Sequence, residues 1–235
     1  MVYRQGKPQK IQIKHLQRIT SIYMTKNLIL VGGGGHCKSV IEVAESCGYN
    51  ILGILDHPTE IGNEILGYKV IGCDDDMPKY VNDAQFVVTV GSIKDPSLRK
   101  RLHDKIRTAG GSLATIIAST AYVSKRATIG EGTVIMHYAM VNAGAQIGIG
   151  CIINTHSNIE HDAFVGDYCH ISTGAMVNGG CIIGNDVFLG SQSVMANGTS
   201  ICDGCVIGAG SLVRKSFRVK GIYSGNPAIL KIKAK

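Results

Sequence analysis

The chain has 235 residues, of which 45% are hydrophobic, and carries a formal net charge of +7 at pH 7. Six of its basic residues lie within residues 1–26, which contain no acidic residue, so the remainder has 18 basic and 17 acidic residues and is nearly neutral. This distribution argues against nucleic-acid binding, and no stretch approaches the roughly 18 apolar residues of a membrane span.

Residues 1–23 have basic side chains scattered through them and lack the apolar core of a secretory signal peptide. A basic, acid-free segment is compatible with an organelle transit peptide, but Met24 stands directly before the first strand pattern. We therefore expect residues 1–23 to be a disordered or non-native leader. Eight cysteines without a secretory signal indicate a cytoplasmic location.

Residues 24–116 alternate strand-like and helix-like segments. This alternation predicts a small parallel α/β domain of Rossmann type. In chain order, the segments are a strand at 27–31, a helix at 38–47, strands at 50–55 and 68–71, an acidic helix start at 74–76, a strand at 86–90 and a helix at 96–108.

Four glycines, Gly32 to Gly35, follow the first strand and precede His36. The dinucleotide fingerprint G-x-G-x-x-G would need a glycine where the chain has Cys37 or Lys38, so NAD or FAD binding is disfavoured. Backbone N–H groups beside a helix N-terminus still suit a phosphate group. The alternative is a tight strand-to-helix turn with no ligand.

From Ile117 to Val213 every sixth residue is aliphatic or methionine, and four residues after each comes a small side chain or Val, except at the last repeat, where it is Phe217. A period of six predicts a β-helix of hexapeptide repeats, with three repeats in each coil of 18 residues. We expect this β-helix to span residues 117–218 and to be followed by a tail, residues 219–235. Cysteines at the small interior position are interpreted as core residues, and the unrepeated Cys202-x-x-Cys205 does not indicate a metal site. The interior cysteines are Cys151, Cys169, Cys181 and Cys205.

Five motifs occur together along residues 24–235: GGGGH at 32–36, LD at 55–56, GS at 91–92, IEHD at 159–162 and SGNPA at 224–228. With these motifs the chain resembles the bacterial UDP-4-amino-sugar N-acetyltransferases and the related sialic-acid O-acetyltransferase-type sugar O-acyltransferases. The resemblance implies that the α/β domain holds a nucleotide-linked sugar and that a left-handed β-helix forms a homotrimer with active sites at subunit interfaces. It also implies acetyl-CoA in the groove between neighbouring helices, and a role in surface-glycan synthesis.

His161 is the candidate general base. It occupies the third position of its hexad, which projects outward, and acetyl transfer to an amine needs a group that accepts the amine's proton. The resemblance implies the same role. Either Asp162 or Glu160 is expected to hydrogen-bond the imidazole and fix its tautomer. Because the family usually has Glu where this chain has Asp162, the sequence leaves that choice open, and a surface histidine on a polar turn is the alternative for His161.

Gly179 and Asn154 are candidates with simpler alternatives. Gly179 lies 18 residues after His161, so its N–H is placed to stabilise the oxyanion of a reacting thioester. A glycine at a corner that needs a positive φ is the other interpretation. Asn154 matches the active-site asparagine of the family, but asparagine also tolerates left-handed corners.

The resemblance also implies two sets of ligand-binding residues. His57 follows Asp56 where relatives often carry a second Asp, which leaves the nucleotide open. The acetyl-CoA set is His170, Gly208, Ala209, Gly210, Gly225, Asn226 and Pro227. The nucleotide-sugar set is Gly33, Gly34, Gly35, His36, Asp56, Gly91 and Ser92.

These observations predict an acetyl-CoA-dependent N-acetyltransferase that acts by direct attack of a sugar amine and uses no metal. A sugar O-acetyltransferase remains open, because one histidine base serves either acceptor. A metalloenzyme of the γ-class carbonic anhydrase type is disfavoured. His156 and His161 have the required spacing, but the third ligand position is Thr120 and His137 is out of phase. A non-catalytic β-helix is the last alternative.

Overall fold

The computed structural model describes residues 26–93 and 95–233, so the predicted leader lies outside the described residues. The first part is a five-stranded sheet in the order β3-β4-β2-β1-β5, parallel except for β3. Its elements are β1 (Asn27–Val31), α1 (Gly35–Ser46), β2 (Asn50–Asp56), β3 (Glu64–Ile65), β4 (Tyr68–Cys73), β5 (Gln85–Val88) and α2 (Ser97–Thr108), with 3-10 turns at Pro58–Glu60 and Asp74–Lys79.

Strand β1 is apolar on both faces because the sheet is covered on both sides. Leu28 and Leu30 pack with α1, and this core continues into the first coils of the second part through Ile116 and Val134. The opposite face of the sheet packs against α2. The predicted Rossmann-type domain is therefore confirmed, whereas the acidic segment expected to start a helix forms only a six-residue 3-10 turn that contains Pro78.

The second part is a parallel β-helix, as predicted, whose strands each consist of the last residue of one hexad and the first of the next. Residues 18 apart pair in register, as Ile159 does with Val141 and Val177. The strands are β6 (Ile116–Ile117), β7 (Tyr122–Val123), β8 (Thr128–Ile129), β9 (Val134–Ile135), β10 (Met140–Val141), β11 (Gln146–Ile147), β12 (Ile152–Ile153), β13 (Asn158–Ile159), β14 (Phe164–Val165), β15 (His170–Ile171), β16 (Met176–Val177), β17 (Ile182–Ile183), β18 (Phe188–Leu189), β19 (Val194–Met195), β20 (Ser200–Ile201), β21 (Val206–Ile207) and β22 (Leu212–Val213).

These strands form three sheets. Sheet I contains β6, β9, β12, β15, β18 and β21 and is extended by β23 (Gly221–Ser224) and β24 (Ile229–Lys233); sheet II contains β7, β10, β13, β16, β19 and β22; sheet III contains β8, β11, β14, β17 and β20. The first residues of the hexads and the small fifth residues fill the interior, including all four cysteines predicted to be core residues. The α/β domain packs against the first coils of sheet I, which contain β6 and β9. Within the described residues, no helix is long and apolar enough to cross a membrane.

In fourteen of the seventeen hexads the corner turns through a left-handed residue at the fourth position. Most of these residues are glycine, which adopts a positive φ without steric cost. Six are not, and one of them is Asp162, with φ 60°. The others are Tyr138, His156, Tyr168, Asp186 and Gln192.

A ladder of side-chain hydrogen bonds stabilises the corner that joins sheet III to sheet I. Asp167 Oδ1 accepts from Ile149 N at 2.9 Å, Asn185 Oδ1 from Asp167 N at 2.8 Å, and Asp203 Oδ1 from Asn185 N at 2.9 Å. Each side chain thus satisfies a backbone donor one coil below. The second position of these hexads is glycine because a Cβ at Gly166, for example, would lie 2.6 Å from Asn185 Oδ1.

We expect Asn185→Ala to lower the free energy of unfolding by about 1 kcal/mol, since it removes one rung of the ladder and leaves the Asp167 N–H unpaired. Asn197 is the matched control, because it is an exposed asparagine at the same hexad position in another corner. Urea titration should show at most a small change in the free energy of unfolding for Asn197→Ala. Equal losses in the two variants would contradict a stabilising role for the ladder.

Candidate active site

His161 and Asp162 form a hydrogen-bonded pair at the corner between sheets II and III. His161 Nδ1 lies 2.9 Å from Asp162 Oδ2, and the two side chains are 60% and 74% exposed. The left-handed backbone of Asp162 turns its carboxylate back toward the imidazole. With Nδ1–H donating to Asp162, the free lone pair of the neutral ring lies on Nε2.

Glu160 is held by other partners. Its carboxylate accepts from Asn142 Nδ2 at 2.9 Å and from Asn158 Nδ2 at 3.0 Å. These two hydrogen bonds hold the pKa of Glu160 below its usual range. The sequence left open which acid orients the imidazole. In the structure the carboxylate that accepts the hydrogen bond of the ring is that of Asp162. Glu160 contributes a fixed negative charge one residue away.

Gly179 is buried directly against the His161 ring. A Cβ at Gly179 would lie 2.6 Å from His161 Nε2 and 2.7 Å from Cε1, so any side chain would displace the imidazole. The left-handed residue of this corner is Gly180, with φ 66°. The interpretation of Gly179 as a glycine required by a positive φ is therefore wrong, and close approach of the ring explains its identity.

Asn154 and His170 belong to a second cluster, at the corner between sheets I and II. Asn154 Nδ2 lies 3.1 Å from His170 Nε2, and His170 Nδ1 lies 2.7 Å from the carbonyl oxygen of Ser92. Asn154 Oδ1 accepts from Thr155 N, so its NH₂ group faces the ring. The NH₂ group can only donate and the Ser92 carbonyl can only accept, so His170 is neutral with its proton on Nδ1. Burial lowers the pKa of His170 to about 4. Both ring nitrogens are thus occupied, and Asn154 does not have the positive φ of the left-handed corner considered from sequence.

The glycine-rich loop lies beside this cluster. Gly33 N donates to Asp56 Oδ2 at 2.9 Å, and His57 N donates to Asp56 Oδ1 at 2.8 Å, so Asp56 supports the loop. Gly34 and Gly35 are exposed at the start of α1, with open space around them. His36 follows in the first turn, and its Cβ lies 3.8 Å from the position of a Cβ on Gly91. Burial is the main cause that lowers the pKa of His36 to about 3.

The candidate acetyl-CoA residues near the C-terminus form one surface at the end of the β-helix. Gly208 N donates to Tyr223 O at 2.8 Å, and Gly225 N donates to Ser211 Oγ at 3.1 Å. This pairing brings Gly208–Gly210 beside Gly225–Pro227, and every residue of the two segments except Gly208 is exposed. The Asn226–Pro227 peptide is cis.

The candidate residues therefore separate into the His161 corner, the Asn154–His170 cluster with the glycine-rich loop, and the C-terminal surface. Within the described residues no hydrogen bond joins the His161 corner to the other two groups. Sequence analysis did not single out the link between Ser92 and His170, because the two residues are 78 positions apart. It also missed Arg99, which is buried beneath this cluster.

The histidines considered for a metal site are dispersed. His156 stacks on Tyr138 with ring centroids 5.0 Å apart, and His137 Nδ1 lies 2.8 Å from Thr120 Oγ1. His161 lies at a different corner. In the described part of the chain, no three His, Cys, Asp or Glu side chains come together as metal ligands.

Known families match both parts of the chain. Residues 27–106 match the PglD N-terminal domain, and residues 162–197 and 180–215 match the bacterial transferase hexapeptide (six repeats). The curated UDP-N-acetylbacillosamine N-acetyltransferase of Bacillus subtilis (strain 168) is 32% identical over 114 residues, or 47% of this chain. The chain spans about half the length of that relative, 51%.

Two solved structures resemble nearly the whole chain. PerB from Caulobacter crescentus, in complex with CoA and GDP-perosamine, has a TM-score of 0.80 and 32% identity, with 87% of this chain and 97% of that chain covered. The acetyltransferase domain of PglB from Neisseria gonorrhoeae FA1090 has a TM-score of 0.82 and 29% identity, with 88% of this chain and all of that chain covered.

We expect the stability of the protein to fall as the pH decreases below about 6.5. Burial lowers the pKa of His36 and His103 to about 3 and that of His170 to about 4, whereas unfolded histidine titrates near 6.5. The unfolded chain therefore binds protons that the folded chain does not, and each histidine adds at most about 1.4 kcal/mol per pH unit to the slope.

Urea unfolding between pH 7.5 and 5 measures this slope. His103→Phe should reduce the slope by the contribution of one proton, at most about 1.4 kcal/mol per pH unit, because His103 is fully buried between α2 and the β-helix. Asn197→Ala is the control, since it removes an exposed side chain that does not titrate, and it should leave the slope unchanged. An unchanged slope in His103→Phe would contradict the conclusion that burial lowers the pKa of His103.

Proposed function

The chain belongs to the hexapeptide-repeat N-acetyltransferases of nucleotide-linked amino sugars, and from this membership we propose that it transfers acetyl from acetyl-CoA to the amine of a nucleotide-linked 4-amino sugar. The observation that carries the proposal is the His161–Asp162 pair packed on Gly179, in a chain whose α/β domain presents an open glycine-rich helix start. PerB was solved with CoA and GDP-perosamine, and the Bacillus subtilis relative is a UDP-N-acetylbacillosamine N-acetyltransferase.

His161 Nε2 is the atom that takes the proton. The lone pair of the sugar amine attacks the thioester carbon as Nε2 removes an amine proton, and Asp162 stabilises the resulting imidazolium. The tetrahedral intermediate collapses with loss of the CoA thiolate, which receives the proton from His161. Gly179 has no side chain, so the imidazole can lie against its backbone. The N–H of Gly179 is the proposed hydrogen-bond donor to the oxyanion.

The nucleotide sugar is proposed to bind at the amino end of α1. The exposed N–H groups of Gly34 and Gly35 and the helix dipole favour a diphosphate there. Asp56 is already hydrogen-bonded to two backbone N–H groups, so its proposed role is to shape this loop as well as to contact the nucleotide. The identity of the nucleotide and the sugar is left to experiment.

Acetyl-CoA is proposed to lie along the column of second hexad positions that runs from Asn154 to Gly208. These residues are three coils apart, which corresponds to about 14 Å at the spacing of parallel strands. Gly208–Gly210 and Gly225–Pro227 would contact the far end of the cofactor, and Asn154 its acetyl end, which the proposed trimer would bring beside the His161 corner of a neighbouring copy. His170 would support Asn154 rather than bind acetyl-CoA directly, because both of its ring nitrogens are occupied. All eight cysteines are free, which suits the proposed cytoplasmic location.

A homotrimer is the assembly we propose. The outward sixth residues of sheets II and III include exposed apolar side chains, among them Met176, Phe164 and Ile182. His161 occupies the corner between these two sheets. Association of copies over these faces would bury the apolar side chains and enclose the exposed His161–Asp162 pair in a groove with two walls.

The catalytic proposal predicts thiol release from acetyl-CoA with one member of a panel of UDP-, dTDP- and GDP-linked 4-amino sugars. In His161→Ala the rate should fall by a factor of about 10² to 10⁴, since the proton acceptor is lost. Asp162→Asn should also reduce kcat, whereas Glu160→Gln should have the smaller effect because Glu160 does not contact the ring.

Three outcomes would contradict this assignment. Activity on hydroxyl acceptors alone would indicate a sugar O-acetyltransferase, and failure to bind acetyl-CoA would indicate a non-catalytic β-helix. Undiminished turnover in His161→Ala would show that another group is the base.

The assembly proposal predicts a three-chain species in sedimentation at micromolar concentration. Ile182→Glu should shift the population toward monomer, because a charge would be placed on the apolar face of sheet III. Ile61→Glu is the control, since Ile61 is equally exposed but lies on the α/β domain. A monomeric wild-type protein would contradict the trimer.

A further inference from the structure

Arg99 is the largest fully buried side chain among the described residues. It lies in the first turn of α2 and is only 2% exposed. Its Nη1 donates to the carbonyl oxygens of Val88 at 2.9 Å and Val90 at 2.6 Å, and its Nη2 donates to Gly150 O at 3.1 Å. One guanidinium thus joins the carboxyl end of β5 to the β-helix.

The charge of Arg99 has no acidic partner. Within residues 26–93 and 95–233 no carboxylate forms an ion pair with it, and the remainder of the chain contains no Asp or Glu. Burial lowers the pKa of Arg99 to about 10, so it stays protonated at neutral pH. A buried cation without a counter-ion is costly and calls for a compensating anion.

This cation lies directly beneath the proposed nucleotide-sugar site. Val90, which receives one of its hydrogen bonds, packs on the glycine-rich loop: a Cβ at Gly32 would lie 2.5 Å from Val90 Cγ2. Two residues further on, Ser92 accepts the hydrogen bond from His170. The positive charge of Arg99 contributes to the lowered pKa of both His36 and His170, which agrees with its position between them.

We propose that Arg99 is a positioning residue that fixes the segment Val88–Ser92 and whose buried charge attracts the diphosphate of the nucleotide sugar at the start of α1. The proposal rests on the proposed function, because it assumes an anionic substrate at that place. Arg99 acts through the backbone and its electric field, without contact with the phosphates. In a site of low dielectric, one buried unit charge is enough for an effect of about tenfold on affinity without direct contact.

The test is calorimetric titration of the full chain with UDP, dTDP and GDP, and with the nucleoside of whichever diphosphate binds. Arg99→Met should weaken the diphosphate by about tenfold and the nucleoside much less, since only the former is charged. Arg99→Lys keeps the charge but loses the forked hydrogen bonds, so it should retain most of the preference for the diphosphate. Arg101→Met, at an exposed position of the same helix, is the matched control and should bind as the wild type does.

Equal losses for nucleoside and diphosphate in Arg99→Met would overturn the electrostatic role, and so would wild-type affinity for both. If Arg99→Met does not fold, loss of the diphosphate preference in Arg99→Lys would overturn the proposal by itself. In steady-state kinetics of Arg99→Met, the KM for the nucleotide sugar should rise more than the KM for acetyl-CoA. A wild-type protein that binds none of the three diphosphates would refute the proposed function, which keeps that failure distinct from failure of the Arg99 proposal.

Discussion

The stacking of identical 18-residue coils is the constraint on which the rest of the structure depends. Because parallel strands repeat at about 4.8 Å, each side chain faces the residues 18 positions before and after it. This rule places Gly179 against His161 and aligns Asn185 with Asp167 and Asp203. A residue in the β-helix is therefore selected by its column as much as by its immediate neighbours, and glycine appears where the neighbouring coil needs the space.

The sequence was sufficient to predict both domains, since a strict period of six and a strand-helix alternation leave few other architectures. The interior cysteines followed from the same period. The sequence was less informative about corners: it left open whether Gly179 is an oxyanion donor or a glycine required by a positive φ, and the left-handed residue is Gly180. The hexad pattern predicts where a corner lies. It does not predict that the His161 ring, from the preceding coil, fills the space beside Gly179.

Contacts between the two domains were the least predictable part of the candidate site. His170 was expected to bind acetyl-CoA on the basis of resemblance, yet its ring connects Ser92 in the α/β domain to Asn154 in the β-helix. Arg99 carried no signal, because an arginine in an amphipathic helix usually faces solvent. Its burial results from the docking of α2 on the β-helix, where His103 and Tyr168 pack together and Lys100 pairs with Asp186. No local pattern in the sequence encodes that docking.

The column from Asn154 to Gly208 fixes the length of the surface on which an extended ligand is proposed to bind. Ser172 and Gly190 lie between these two residues in the same column, so the separation of the ends is set by a whole number of coils. Removing a single hexad would rotate everything beyond it by one face of the triangle, whereas adding 18 residues would preserve every column and lengthen the site by one strand spacing. Insertions or deletions that keep the columns aligned can therefore change the distance between the two ends of the site only in steps of one coil.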